Sequence, residues 1–376
     1  MSGGFKKNTR IRAPDVLGTK ISVENAQLLV STGAPEFDNV IGGGLAVGTL
    51  LLIEEDRSNS YASLLTRLFL AEGVLVGHPL LVASKDKNID TLISSLPAED
   101  QTGNVPENSK QVSESSDMKI AWRYQHMPNN SSDRSNRSVQ FGHHFDLSRN
   151  LVPEVLSSIK LTRWSGGPVK HDKTAEDVLS PEIQTLLESV KNSLAEHNCW
   201  VQCNVSGGEP VKQRTVLRMA ILSLGSPLWE IKSEKIPVIF YALRAILRAS
   251  CAVCLVTIPS HFFNAATISR CRQISDYSIQ LIPAIHIDGK VNPLLSGQDG
   301  LFKINKLPSI NTITPYKPAT LDLGFKVRRK KFCIEKLQLP PEIAESEERE
   351  QDDFVGPKLS QSFGGCGSGS NKNLEF

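Results

Sequence analysis

The stretch from Ser31 to Gly73, STGAPEFDNVIGGGLAVGTLLLIEEDRSNSYASLLTRLFLAEG, constrains the fold of this chain more than any other. Three glycines, Gly42 to Gly44, lead into the apolar run Leu50 to Ile53, which is short and glycine-flanked enough to be a buried strand. A polar loop follows. Tyr61, Leu64, Leu65, Leu68 and Phe69 then recur at helical spacing, with Ser60 or Asn59 placed to cap the first turn. Strand, loop and helix in this order have the layout of a nucleotide-binding loop.

A working P-loop reads G-x-x-x-x-G-K-[ST]: bare backbone amides reach the phosphates, a lysine neutralises them, and a hydroxyl holds the magnesium ion. Laying that pattern on this strand and helix puts Glu55 and Ser60 at the glycines, Tyr61 at the lysine and Ala62 at the metal hydroxyl. All four requirements are lost. Glu54, Glu55 and Asp56 also bring up to three carboxylates toward the nest, with Arg57 the one cation at hand. At about 4 Å a like-charge pair costs roughly 1 kcal/mol in water and about 4 kcal/mol in a partly buried site. Further on, Met219 to Leu224 reads as a buried strand, and Ser223 stands where an ATPase of this layout carries its metal carboxylate. The expectation is a degenerate P-loop, with no cofactor and no metal. His126, His143, His144 and Asp146 do not change that, because adjacent histidines on a strand face opposite sides.

With 376 residues, of which 40% are hydrophobic, the chain can bury one large core or two ordinary ones. Its 42 basic and 40 acidic residues leave a formal charge of +2, so only local patches can argue for nucleic acid or membrane. Seven cysteines without a repeated framework suit a reducing compartment. Cys251 and Cys254 form a C-x-x-C inside an apolar run with no second pair at zinc spacing, and read as core. The amino terminus lacks an apolar h-region, and Arg244 and Arg248 interrupt the most apolar long segment, so no membrane span is expected.

Residues 1–28 read as a flexible basic lead-in, 29–340 as one domain with disordered polar insertions near 97–117 and 129–138, and 341–376 as a disordered acidic, then Gly/Ser-rich tail. Asp146 or Ser148 is placed to cap a helix. Strand HPLLVAS, helix IQTLLESVKNSLAEH, a strand near Trp200, helix YALRAILRAS and strands CAVCLVTIPS and SDYSIQLIPA follow in turn. That alternation implies an α/β fold: a mostly parallel sheet with helices on both faces. LGFKVRRKKFCIEKLQLPPE reads as a strand or hairpin carrying the densest basic cluster, Lys326, Arg328, Arg329, Lys330 and Lys331.

The segments STGAPEFDNVIGGGLAVGTLLLIEED, FLAEG, IAWRY, FDLSRNL, LGSPLW, TIPSH and KVRRKKFCIEKLQLPPE, in this order, resemble the PAXNEB family, the fourth subunits of Elongator, over roughly residues 29–340. The resemblance implies a RecA-like fold without working Walker motifs. It implies assembly with the related subunits five and six into a six-membered ring, two copies of each, docked on the catalytic part of Elongator. That complex adds a carboxymethyl-type group to the wobble uridine of certain tRNAs, and the ring binds tRNA; an older reading assigns transcription elongation through histone acetylation. A cytoplasmic and nuclear location goes with it. In such a ring the loops at Gly225 to Lys235 and Pro259 to Phe263 face the bore, offering Trp229, His261, Phe262 and Phe263 for stacking and Lys232 and Lys235 for phosphate. The aromatics read equally as core. Arg328 and Lys330 form a second candidate patch. The alternatives are an ATPase in which Arg57 or a neighbouring subunit replaces the lysine, and a strand-exchange protein, which the lost nucleotide site argues against.

Overall fold

The structure is a computed structural model that describes residues 16–22, 25–100, 141–166, 179–201, 215–284, 295 and 297–337. Its elements run in chain order: β1 (Thr19–Ile21), β2 (Leu28–Val30), α1 (Pro35–Val40), β3 (Leu45–Ala46), β4 (Leu50–Glu54), α2 (Tyr61–Val76), β5 (Leu80–Ala83), α3 (Ile89–Ser94), β6 (Pro97–Glu99), β7 (Phe145–Asn150), α4 (Pro153–Ser157) and β8 (Leu161–Trp164). They continue with α5 (Pro181–Glu196), β9 (Leu217–Ile221), α6 (Ile236–Arg248), β10 (Ala252–Ile258), α7 (Ala265–Ile274), β11 (Tyr277–Pro283), β12 (Gly300–Lys306), β13 (Leu323–Val327) and β14 (Phe332–Lys336).

One sheet organises these elements, in the order β14-β13-β12-β11-β4-β10-β9-β5-β8. From β11 to β8 every neighbouring pair is parallel. From β11 to β14 every pair is antiparallel. The sheet is therefore mixed, with a parallel body and an antiparallel extension. Strand β4 lies near its middle and is buried along its whole length, as a strand covered on both faces must be. Leu51 and Ile53 pack on one side with Leu64, Leu65, Leu68 and Phe69 of α2. Leu50 and Leu52 pack on the other with Ile183 and Leu186 of α5 and Ile239 and Leu243 of α6. Alternation along β10 does the same, sending Val253 and Leu255 one way and Cys254 and Val256 the other. Helices thus cover both faces, as the pattern of apolar runs implied.

Several local expectations are corrected. The lead-in is structured from Val16: β1 pairs with β2, and Val16 is buried. Pro97–Glu99, the start of the stretch expected to be disordered, pairs as β6 with β7. FDLSRN is that second strand rather than a helix start, and the Asp146 carboxylate accepts from the Ser148 N–H and hydroxyl within it. Of the strand expected to begin near Trp200, the described residues show an isolated bridge, Trp200 to Ser250, and its continuation past residue 201 lies outside them. The 101–117 and 129–138 insertions, IAWRY with His126, and the tail beyond 337 lie outside the described residues. No helix among the described residues is long and apolar enough to cross a membrane.

A buried polar seam ties the sheet to α2 and to the chain before β1. Arg218, fully buried on β9, donates from Nη1 to the carbonyls of Ser31 (2.8 Å) and Phe69 (3.1 Å) and from Nε to His78 Nδ1 (3.1 Å). Its guanidinium lies 4.9 Å from the Phe69 ring centroid. His78 can therefore donate from Nε2 to the Leu17 carbonyl (2.8 Å). Burial, and then Arg218, pushes its pKa down to about 3, keeping it neutral. Beside it the buried Glu72 carboxylate accepts from the His143 backbone N–H (3.0 Å) and from Nδ1 (3.1 Å). Hydrogen bonding to Glu72 raises the pKa of His143 above the ordinary histidine value.

Because the folded pKa of His143 is raised, its pairing contributes most below the unfolded histidine value of about 6.5 and is lost as pH climbs through the folded one. Urea melts should show the stability gap between the native chain and His143→Ala to be wider at acidic than at alkaline pH. Arg218→Ala, which takes the donor from two buried carbonyls and from His78 and leaves a cavity, should cost roughly 3–5 kcal/mol by the same assay, and Arg218→Met, which keeps most of the volume, less.

Candidate functional site: the loop between β4 and α2

The loop leaves the carboxyl end of β4, the side of a parallel sheet on which ligand crevices form. Its three consecutive carboxylates do not converge on one nest as expected; each has its own partners. Glu54, at the end of β4, is held by Arg272 of α7 in a two-point contact, Nε to Oε1 at 2.5 Å and Nη2 to Oε2 at 2.7 Å, with Asn305 Nδ2 adding a bond at 3.1 Å. A bidentate pair of this kind fixes orientation as well as charge.

Glu55 turns the opposite way, across the ends of β10 and β9. Its Oε1 accepts from the hydroxyls of Thr257 (2.6 Å) and Ser223 (2.8 Å). Burial raises its pKa, and the two hydroxyls only partly counter this. Ser223 has φ +47°, outside the usual range for a residue with a Cβ. Its backbone N–H donates to Thr257 Oγ1 (2.8 Å), and its hydroxyl accepts from Asn59 Nδ2 (3.0 Å). The position that would hold a metal's carboxylate is thus one end of a side-chain bridge from β9 to the loop.

Asp56 occupies the mouth of α2. Oδ1 accepts from the backbone N–H groups of Tyr61 (3.1 Å) and Ala62 (3.3 Å), and Oδ2 from the Ser60 N–H (3.0 Å) and the Ser58 hydroxyl (2.6 Å). Those three amides are the ones a P-loop would turn toward phosphate. Here the chain's own carboxylate satisfies them and meets the positive end of the helix dipole. Neither Ser60 nor Asn59 caps the helix, which corrects the sequence reading: Ser60 has helical φ and ψ and makes no side-chain cap bond.

The two remaining positions serve packing. Tyr61, at the lysine position, sets its ring edge-on to Phe325, centroids 4.7 Å apart, with Phe332 stacked behind at 5.9 Å. Ala62 is fully buried. Arg57 is exposed at the loop surface. Among the described residues no group of three His, Cys, Asp or Glu is placed to hold a metal ion.

The candidate RNA-contact residues divide. Trp229 is 1% exposed and stacks on Trp164 at 5.2 Å, so it is core and unavailable for stacking on a base. Phe263 packs toward Gly225, where a Cβ would come within 2.8 Å of its ring. His261 and Phe262 are exposed side by side, ring centroids 4.2 Å apart. Lys232 is exposed and Lys235 half-buried. Arg328 and Lys330 are exposed in the β13–β14 turn, with Arg328 3.6 Å from Glu335. Two successive antiparallel pairings give β13 the direction of β4, so this turn leaves the same sheet edge as the loops after β9 and β10. It stands five strand spacings from β9, on the order of 24 Å.

A sequence model of the PAXNEB protein family matches residues 12–376 of the chain. The chain belongs to the PAXNEB family. It is 37% identical to Elongator complex protein 4 of Xenopus laevis, an alignment covering 99% of this chain and 95% of that protein. It is 36% identical to Elongator complex protein 4 of Homo sapiens, over 97% and 90% of the two chains. Likeness to Elongator complex protein 4 of Saccharomyces cerevisiae persists at 21% identity over 88% of this chain. These matches span the sheet, the loop and both basic segments.

The loop residues that sequence reasoning missed are Asp56 as the cap, and Thr257 and Asn59 as partners in the Glu55–Ser223 bridge. Asp56 stands four residues before Ser60, a spacing that signals no capping pattern. Its replacement by Ala should remove the cap and lower stability by about 1–2 kcal/mol in urea unfolding. Glu55→Gln should behave differently. A group with a raised folded pKa loses its stabilising contribution as pH rises, so removing its charge should leave Tm unchanged or higher at pH near 8.

Proposed function

We propose that this chain is a non-catalytic subunit of an Elongator assembly. In this reading it has a RecA-like fold and joins subunits five and six in a hexameric ring that binds tRNA and supports wobble-uridine modification by the catalytic subunits. The observation that carries the non-catalytic part is the Asp56 carboxylate seated on the three amides at the start of α2. A phosphate entering there would have to displace a bonded anion and meet Glu55 nearby, with no lysine at the P-loop position; Lys87, which interacts electrostatically with Glu55 and Asp56, is already engaged by those two carboxylates. Kinship with proteins named Elongator complex protein 4 supports the assembly. The order β11-β4-β10-β9-β5, in which the strand before the loop is separated from the Ser223 strand by one inserted strand, supports the RecA-like reading. Exposed apolar side chains such as Tyr241, Leu228 and Ile313 fit a chain that buries surface against neighbours.

The RNA role rests on the shared sheet edge. Lys232 and Lys235 follow β9, the exposed rings of His261 and Phe262 follow β10, and Arg328 and Lys330 follow β13, combining cations for phosphate with an exposed aromatic pair.

Calorimetric titration of magnesium ATP into the chain should give no saturable heat. Micromolar binding abolished by Arg57→Ala would instead establish the ATPase reading. For RNA, tRNA affinity of the ring assembled with subunits five and six should be followed against salt. Lys232→Ala with Lys235→Ala, and separately Arg328→Ala with Lys330→Ala, should each lower affinity and reduce the salt slope by a little under one unit for every phosphate no longer neutralised. An intact ring with unchanged affinity and slope for both pairs would confine this subunit to a scaffolding role.

A further inference from the structure

The C-x-x-C of the sequence is not the cysteine pair that the fold assembles. Cys251 and Cys254 are three residues apart at the start of β10, on the order of 10 Å along an extended chain. Cys254 lies fully inside the core, where burial pushes its thiol pKa far up. The neighbour of Cys251 comes from elsewhere. Beyond α5 the chain bridges the segment that enters β10 through Trp200 and Ser250, running antiparallel. Val201 N–H donates to the Ala249 carbonyl (3.0 Å) and Cys251 N–H to the Cys199 carbonyl (2.6 Å).

That register sets Cys199 directly opposite Cys251. Opposed residues next to such a bond have Cα atoms about 5.5 Å apart, inside the 4.4–6.8 Å range that a disulfide spans. The thiols also differ. Cys199 is buried, its Sγ directed at the carbonyls of Thr215 and His197, both at 3.5 Å. Burial, and then the neighbouring Cys251, pushes its pKa up to about 11. Cys251 is only half-buried, and is the member of the pair that a dissolved oxidant can reach.

We propose that Cys199 and Cys251 form a redox-responsive dithiol at the amino-terminal edge of the sheet, closing to a disulfide when the chain meets a peroxide. The Cys251 thiol gives up its proton and its sulfur attacks the peroxide; the O–O bond breaks to leave a sulfenic acid on sulfur, and the departing hydroxide takes that proton to leave as water. The Cys199 sulfur then attacks the Cys251 sulfur as its own proton departs. The S–O bond breaks, a second water leaves, and the S–S bond forms, so that two thiols and one peroxide give one disulfide and two waters. The bond would tie the end of α5 to the start of β10, the strand lying between β4 and β9. In a reducing compartment such a bond is transient and reports oxidant load.

The full chain would be treated with equimolar hydrogen peroxide, its free thiols alkylated under denaturing conditions, and its non-reduced digest read by mass spectrometry. The expected product is a peptide joining Cys199 to Cys251, lighter by about 2 Da than the sum of its parts and reversed by dithiothreitol. Cys251→Ser, at a half-exposed position, should abolish it and leave Cys199 fully alkylated. Three results would overturn the proposal: Cys251 oxidised to sulfinic acid with Cys199 still free, Cys251 joined to any other cysteine, or Cys251 unreacted while another cysteine oxidises.

Discussion

Three backbone amides at the start of α2 need an acceptor, and the Asp56 side chain supplies it. Much of the surrounding architecture follows from that capture. With the amides satisfied internally, the loop needs no ligand to be ordered, and its neighbours are free for other work. Tyr61 becomes a packing residue against Phe325, anchoring the antiparallel extension of the sheet to α2. Ser223 and Thr257 turn their hydroxyls to Glu55 and lock the ends of β9 and β10 together. Glu54 draws Arg272 and Asn305 onto the end of β4. The loop is a fixed junction of five strands, β4, β9, β10, β12 and β13, and two helices, α2 and α7.

The same junction shows what the sequence makes legible. That this loop carries no glycine, lysine or hydroxyl at the P-loop spacings is visible in the sequence alone, because each of those positions has a fixed distance from the strand. So are α2, α5 and α6, whose apolar periods are long, and the parallel strands β4, β5, β9, β10 and β11, which are largely apolar runs; the short α1, α3 and α4 and the edge strand β8 are not. The fates of the three carboxylates were not legible. Glu54, Glu55 and Asp56 are adjacent in sequence, but their partners Arg272, Thr257 and the α2 amides come together only when the sheet forms. Trp229 illustrates the other limit: Trp164, which covers it, is 65 positions away on the edge strand. FDLSRN misled because Asp and Ser are good caps in the abstract, whereas here their bonds stay inside a strand paired with β6.

The carboxyl edge of the sheet separates two kinds of charge. Glu54, Glu55 and Asp56 lie inward and bonded, while Lys232, Arg328 and Lys330 are exposed on the flanking loops, the first of them between the exposed Glu230 and Glu234. A surface of this kind presents basic groups outward although the formal charge of the whole chain is only +2. The proposed RNA contact therefore rests on local arrangement rather than on net charge. His261 and Phe262 add an exposed pair of rings between the two clusters.

If Asp56 fills the anion position of α2, the three amides will report it. In the native chain the backbone resonances of Ser60, Tyr61 and Ala62 should remain in place as magnesium ATP or inorganic phosphate is added to millimolar concentration. A saturable shift of those three resonances would show that an external phosphate reaches the amides, and would contradict the account.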